Sequence, residues 1–163
     1  MKEFQPRHPG RQRAQQVGFS LIELLIVIAI IMVIGTIASS SYQKAQMASR
    51  ETAVTQELSA IYAAQAQYYS TFGKYAATLA QLGPPTGGAE GPEGAGLLPK
   101  ALADGTKNGY KYTLAGAGAT FSMTAIPEAF GSTGRRTFYM DQTRAIHQNW
   151  TAEPATAASP ELK

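Results

Sequence analysis

Cysteine is absent from the 163 residues of this chain. A disulfide framework, a thiolate metal site, an iron–sulfur cluster and a cysteine nucleophile are therefore excluded. Charged residues are scarce as well, at 15% of the chain, against about 25% in a typical soluble domain. The length has room for one ordinary domain with an appendage, or for two very small domains, and it excludes a large multidomain enzyme.

Catalytic motifs are also missing. There are two histidines, His8 and His147, and no HExxH, G-x-S-x-G or P-loop pattern. His147 alternates with polar residues, which is typical of a solvated or half-buried side chain. Glu90, Glu93 and Asp104 offer the oxygen ligands that Ca²⁺ takes, but their spacing matches no specific site and favours solvated loop acids. We expect no enzymatic activity, no cofactor and no metal.

The positive charge is concentrated at the start of the chain. The formal net charge is +3, residues 1–18 carry all of it, and the remainder is neutral. A neutral body argues against nucleic-acid binding through a folded basic face. A basic segment before an apolar run instead orients a membrane helix with its N-terminus in the cytoplasm.

The apolar run occupies residues 19–38, with the sequence FSLIELLIVIAIIMVIGTIA. A helix of that length rises about 30 Å, the thickness of a hydrocarbon core. A buried core helix is disfavoured because the run is apolar on every face and few residues remain to surround it. Two other interpretations are a signal peptide cut near residues 38–40 and a plain single-span anchor.

Glu23 distinguishes these interpretations. A carboxylate inside a membrane helix costs about 3 kcal/mol on insertion scales, and it should have a cationic partner or face something other than lipid. The nearest cation on the N-terminal side is Arg13, outside the run. A cut between Gly18 and Phe19 would create an α-amine four residues before Glu23. That amine could pair with Glu23 in the same helix or in a staggered neighbour.

The segment GFSLIELL at residues 18–25, after a basic leader and before uniform aliphatics, closely resembles the N-terminus of type IV prepilins and of the related pseudopilins of type II secretion. The resemblance covers about residues 11–45. It implies that a prepilin peptidase cuts after Gly18, that Phe19 is N-methylated, and that Glu23 is the carboxylate used in assembly. The proline that many pilins carry in this helix and the C-terminal cysteine pair of many pili are both missing.

The resemblance also implies an organisation. Residues 1–18 form a cytoplasmic leader that is removed, 19–41 a transmembrane and filament-core helix, and 42–150 a periplasmic globular domain. Independently of the resemblance, residues 151–163 are predicted to be a flexible tail. The expected partners are the prepilin peptidase, identical or related pilin subunits, an inner-membrane assembly platform, and lipid before assembly. The expected product is a type IV pilus or similar filament. A secretion or competence pseudopilin, a membrane-tethered periplasmic binding module and an enzyme on a stalk are the alternatives.

The helix is expected to continue to a stop at Gly73, because residues 42–72 contain neither Pro nor Gly. An apolar stripe on this second half consists of Met47, Val54, Leu58, Ile61, Tyr68 and Phe72. The stripe is interrupted by Gln65, and it predicts an amphipathic helix. The charged residues Lys44, Arg50, Glu51 and Glu57 are expected mostly elsewhere around the helix.

Residues 83–109, rich in Gly and Pro, predict a loop with one short helical turn within 97–102. Four alternating segments then predict strands near 110–114, 121–126, 137–141 and 144–148. Their short connections leave no room for crossover helices, so the strands should be antiparallel. The predicted fold is α+β: a long N-terminal helix, half transmembrane and half amphipathic, packed on a four-stranded antiparallel β-meander.

Overall fold

The computed structural model describes residues 18–162, apart from the side chains of Ile37, Ala38 and Ser40. The predicted leader, up to residue 17, and His8 lie outside the described residues. The chain divides into two compact units, 1–39 and 40–163. Helix α1, Leu21–Phe72, contributes to both and has 52 residues.

The second half of α1 confirms the predicted stripe and its end. Of the stripe, Val54, Leu58, Ile61 and Tyr68 are fully buried, Met47 is buried, and Phe72 is half-buried. Gly73 adopts φ +70° and donates its N–H to the Tyr69 carbonyl at 2.8 Å. A left-handed residue after the last turn is a common helix stop because glycine adopts it without a Cβ clash.

The sheet is a five-stranded antiparallel meander in the order β1-β2-β3-β4-β5. The strands are β1 Thr106–Lys107, β2 Tyr110–Ala117, β3 Thr120–Pro127, β4 Thr137–Asp141 and β5 Ile146–Asn149. The four predicted strands and their antiparallel pairing are confirmed. The short β1, which pairs Thr106 with Lys111 of β2, is additional. Two residues are too few to show an alternating pattern, so no sequence signal marked it.

The core lies between α1 and one face of the sheet. Burial alternates along β2 and β3, as expected for a sheet covered on one face. The buried apolar residues of the sheet include Tyr110, Tyr112, Leu114, Phe121, Met123, Ala125, Phe138 and Met140. Gln65, which interrupts the stripe, is fully buried as well. Its amide accepts from the Ala76 N–H at 2.8 Å and donates to the Ala76 carbonyl at 2.9 Å. It therefore ties α1 to the segment that follows it.

The long loop is held in place by backbone hydrogen bonds. Two short helices flank or interrupt it, α2 Leu79–Leu82 and α3 Lys100–Ala103. The Ala95 N–H donates to the Gln81 carbonyl at 2.9 Å, and the N–H groups of Leu97 and Leu98 both donate to the Leu82 carbonyl. Leu98 and Leu102 are buried in the core. The loop is thus more structured than its Gly and Pro content predicted.

Both edges of the sheet are covered by other parts of the chain. Residues 75–77 run beside β2, where the Gly116 N–H donates to the Ala77 carbonyl at 3.3 Å. A Cβ at Gly116 would collide with the Ala76 backbone, so this close approach requires glycine. At the other edge, the Gln148 N–H donates to the Pro160 carbonyl and the Leu162 N–H to the Ile146 carbonyl. The segment expected to be a flexible tail therefore makes specific backbone contacts with β5.

Two acidic residues of α1 lie where the sequence did not place them. Glu51 and Glu57 are buried at 5% and 7% exposure, so the expectation that they lie away from the apolar stripe is wrong. Glu51 accepts from Arg136 Nε at 2.7 Å and from the Arg135 N–H at 2.8 Å. A buried carboxylate is tolerated when a cation and hydrogen-bond donors surround it.

Glu57 has three partners from β1, β2 and the turn between them. It accepts from the Tyr112 hydroxyl and from Asn108 Nδ2 at 2.8 Å, and it pairs with Lys107 Nζ at 3.0 Å. Burial, together with the hydrogen bond to Glu57 and its charge, raises the pKa of Tyr112 far above its ordinary value. Tyr112 therefore stays protonated and donates to the carboxylate.

We expect Glu57→Ala to destabilise the second unit by about 2–4 kcal/mol, because the buried Tyr112 hydroxyl and the Lys107 ammonium lose their shared acceptor. Urea unfolding of residues 40–163, followed by circular dichroism, measures this change. Gln56→Ala, at an exposed neighbouring position, is the matched control and should change stability by less than about 0.5 kcal/mol. Equal stability of the two variants would contradict the structural role given to Glu57.

Candidate functional site: the start of the N-terminal helix

Helix α1 begins directly after the motif residues. Gly18, Phe19 and Ser20 precede the helix, which starts at Leu21. The Leu24 N–H donates to the Ser20 carbonyl at 3.2 Å, and the Ser20 N–H donates to Glu23 Oε2 at 2.9 Å. Ser20 therefore occupies the N-cap position and Glu23 the third helical position. The backward bond from the glutamate is one half of a capping box.

Glu23 is well placed for this capping role. It is the acidic residue of the first helical turn, where a negative charge interacts favourably with the helix dipole. Among residues 18–162, Glu23 forms no ion pair. Its carboxylate thus has a local backbone donor and, within residues 18–162, no cationic partner.

The peptide bond between Gly18 and Phe19 is accessible. Phe19 is 89% exposed, and a Cβ added at Gly18 would meet nothing within 4 Å. Gly18, Phe19 and Ser20 belong to no helix or strand. A protease needs an uncovered substrate backbone, and these described residues offer one.

The apolar side chains after Glu23 have no cover within their unit. Every large hydrophobic side chain from Leu24 to Ile34 is exposed by 47% or more. Residues 21–34 are helical, and α1 contains a stretch long and apolar enough to cross a membrane, by length and composition. An exposed apolar surface of this size is strongly disfavoured in water, so lipid or other apolar helices must cover it.

The structure places the other candidate residues elsewhere. His147 is half-buried in β5, with Nδ1 2.7 Å from the Ser159 carbonyl and its ring beside that of Tyr139. Asp104 pairs with Lys100 at 2.9 Å. In the described part of the chain, no group of three or more His, Cys, Asp or Glu residues is placed to hold a metal ion.

The sequence led us to propose Gly18, Phe19 and Glu23 as site residues, but the hydrogen bond from Ser20 to Glu23 was missed. The signal for it was present, because Ser20 and Glu23 have the S-x-x-E spacing of a capping box directly before an apolar run. The structure therefore adds a local role for Glu23 that does not depend on any partner molecule.

Together, the fold and this site define a pilin-like α+β protein, with an N-terminal helix that is apolar all round and a sheet packed on the second half of the same helix. Comparison with known proteins agrees. The family model of the prokaryotic N-terminal methylation motif matches residues 13–39. The type IV major pilin protein PilA of Myxococcus xanthus (strain DK1622) is 36% identical over 66 residues, which are 40% of this chain.

These matches show that part of this chain is similar to type IV pilins and that residues 13–39 fit the N-terminal methylation motif. The matched part spans 30% of the Myxococcus protein, so the likeness does not extend over the whole of that relative. No solved structure matches the chain significantly.

Proposed function

We propose that this chain is a structural subunit of a type IV pilus or a pilus-like filament. The observation that carries the proposal is the uncovered apolar helix that begins at the methylation motif. A prepilin peptidase would cut between Gly18 and Phe19 and methylate the new amine of Phe19. The chain would then leave the inner membrane, with the help of an assembly platform, and polymerise through its N-terminal helices.

The exposed aliphatic side chains explain why such a helix can exist in two environments. In the membrane, lipid tails cover Leu24 to Ile34 and the helix gains nothing further from the hydrophobic effect. In a filament, other copies of the same helix cover these side chains, and van der Waals packing replaces the lipid contacts. Because both environments are apolar, the exchange requires no large desolvation cost for the aliphatic part.

Glu23 would change its partner during this exchange. Before cleavage, the carboxylate accepts the Ser20 N–H at 2.9 Å. Cleavage creates a cationic amine on Phe19, four residues away, and a neighbouring copy at the correct stagger brings its amine to the same carboxylate. A charge in an apolar environment is strongly disfavoured alone and acceptable when paired. Pairing would therefore select the axial register of the subunits.

Two features favour a pilus over the alternatives. The matched relative is named a type IV major pilin. The sequence also has none of the catalytic motifs considered above, which favours a structural subunit over a tethered enzyme. A secretion or competence pseudopilus would use the same N-terminal chemistry, and the filament's length and location separate it from a surface pilus.

The experiment is to recover filaments by shearing from cells that express the chain and to determine its N-terminus by mass spectrometry. We expect a chain that starts at Phe19 and carries one methyl group on its amine. Cells that lack prepilin peptidase are the control and should retain the full-length chain. A mature chain that starts at residues 39–41 would establish an ordinary signal peptide and contradict the proposal.

A further inference from the structure

Three cations lie in or beside the loop between β3 and β4, residues 128–136. Lys44 and Arg135 line a hollow beside this loop, and Arg50 lines a second hollow with Gly131 and Ser132 of the same loop. Lys44 and Arg135 are exposed and Arg50 is half-buried. Within residues 18–162 none of the three forms an ion pair, whereas the adjacent Arg136 is held by Glu51. We call Lys44, Arg50 and Arg135 the basic patch.

The complementary charge lies in the long loop. Glu90 and Glu93 are both exposed and neither pairs with a cation in the described chain. Their positions are fixed, because Gly91 and Gly94 exchange backbone hydrogen bonds of 3.1 and 3.0 Å. The Tyr68 hydroxyl also donates to the Pro92 carbonyl at 2.8 Å. We call Glu90 and Glu93, with the residues between them, the acidic loop.

The two surfaces lie at different heights along α1. The basic patch includes residues 44 and 50 of the helix, and the acidic loop is tied to residue 68. This separation corresponds to a helical rise of about 27–36 Å. Exposed charges are largely screened beyond about 8 Å at physiological salt. The acidic loop and the basic patch of one chain therefore cannot neutralise each other.

We propose that the acidic loop of one copy docks on the basic patch of another copy that is shifted along the helix axis by about this rise. The contact joins two different surfaces, so a pair of copies leaves one acidic loop and one basic patch free, and the contact repeats head to tail into an open filament. It rests on the proposed filament function and adds a site of contact outside the apolar helix.

An anionic membrane surface would also attract the basic patch. It would leave Glu90 and Glu93 without partners and would repel them if they came near. A second copy satisfies both surfaces at once, which is why we favour it as the occupant.

The absence of cysteine from the chain makes disulfide cross-linking a direct test. The full chain carrying both Glu93→Cys and Arg135→Cys is expressed, and its filaments are oxidised. We expect a ladder of covalent dimers, trimers and longer species on a non-reducing gel, which collapses to monomer on reduction. The chain carrying Glu93→Cys and Lys111→Cys is the matched control, because Lys111 is an exposed cation on β2, and it should give no ladder.

Charge reversal provides a second measurement. Glu90→Lys with Glu93→Lys should lower filament yield about fivefold, and the added changes Lys44→Glu, Arg50→Glu and Arg135→Glu should restore it.

Two outcomes would overturn this inference and leave the proposed function standing. One is that the Glu93→Cys, Arg135→Cys chain forms filaments but gives no cross-linked ladder. The other is that the charge reversal at Glu90 and Glu93 leaves filament yield unchanged. Weaker binding of the Lys44→Glu, Arg50→Glu, Arg135→Glu chain to phosphatidylglycerol vesicles, with normal filaments, would assign the patch to lipid and also overturn it. No filament from the unaltered chain would remove both proposals.

Discussion

Gly18→Val should leave the chain at full length, without detectable filaments. A Cβ at Gly18 would meet nothing within 4 Å, so the fold of the chain does not itself require glycine there. Any loss of cleavage must therefore come from the fit of the backbone into the peptidase. A β-branched residue restricts that backbone and places two methyl groups beside the bond to be cut.

An immunoblot of whole cells measures this effect, because loss of residues 1–18 shortens the chain visibly. Gly35→Val is the matched control, since Gly35 is another open position within the N-terminal unit, where an added Cβ meets nothing within 4 Å. It should be cleaved normally. Cleavage of the Gly18→Val chain at the normal rate would show that Gly18 is not part of the recognition site, and the assignment of the cut would have to be withdrawn.

Local patterns in the sequence were sufficient for most of the fold. The stripe of Val54, Leu58, Ile61 and Tyr68 follows helical periodicity, and a helix buried on one side must show it. The connections from β2 to β3 and from β3 to β4 are short. They leave no room for a crossover, so these strands pair antiparallel. In each case the information lies within a few residues of the element it specifies.

The features that the sequence did not reveal depend on residues far apart in the chain. Glu51 is buried because Arg135 and Arg136, more than 80 positions later, supply its donors. Glu57 is buried because Tyr112, 55 positions later, reaches it. The composition of a helix face cannot show that its carboxylates will meet cations from a sheet. The contact of the C-terminal segment with β5 also joins residues that are apart in the chain. It is made by backbone hydrogen bonds, which leave no pattern in the side chains for the sequence to show.

The candidate site lies within six residues, 18–23, and all of its described contacts are local. Gly18, Phe19 and Glu23 could be selected from the sequence because the motif is contiguous and the apolar run leaves a single carboxylate to be explained. The bond from the Ser20 N–H to Glu23 is also local, and it gives the carboxylate a second role. Any test of Glu23 in assembly must therefore separate its charge from its capping bond.

Glu23→Ala and Glu23→Gln provide that separation. Alanine removes the charge and the capping acceptor, whereas glutamine keeps an acceptor that can cap the helix and removes only the charge. If pairing with the Phe19 amine selects the register, both variants should be cleaved normally and both should lose filaments. An unpaired amine in the apolar core costs about 3 kcal/mol or more, which lowers the association constant more than 100-fold.

Cleavage and filament yield are measured in the same cells, with the unaltered chain as the reference. Normal filaments from Glu23→Gln but not from Glu23→Ala would assign Glu23 to capping alone, since the neutral side chain would then suffice. Normal filaments from both would show that Glu23 has no role in assembly. Loss of both with normal cleavage is the expected result, because the capping bond stabilises only the start of one helix, whereas the ion pair acts between copies and would be repeated at every subunit along the filament.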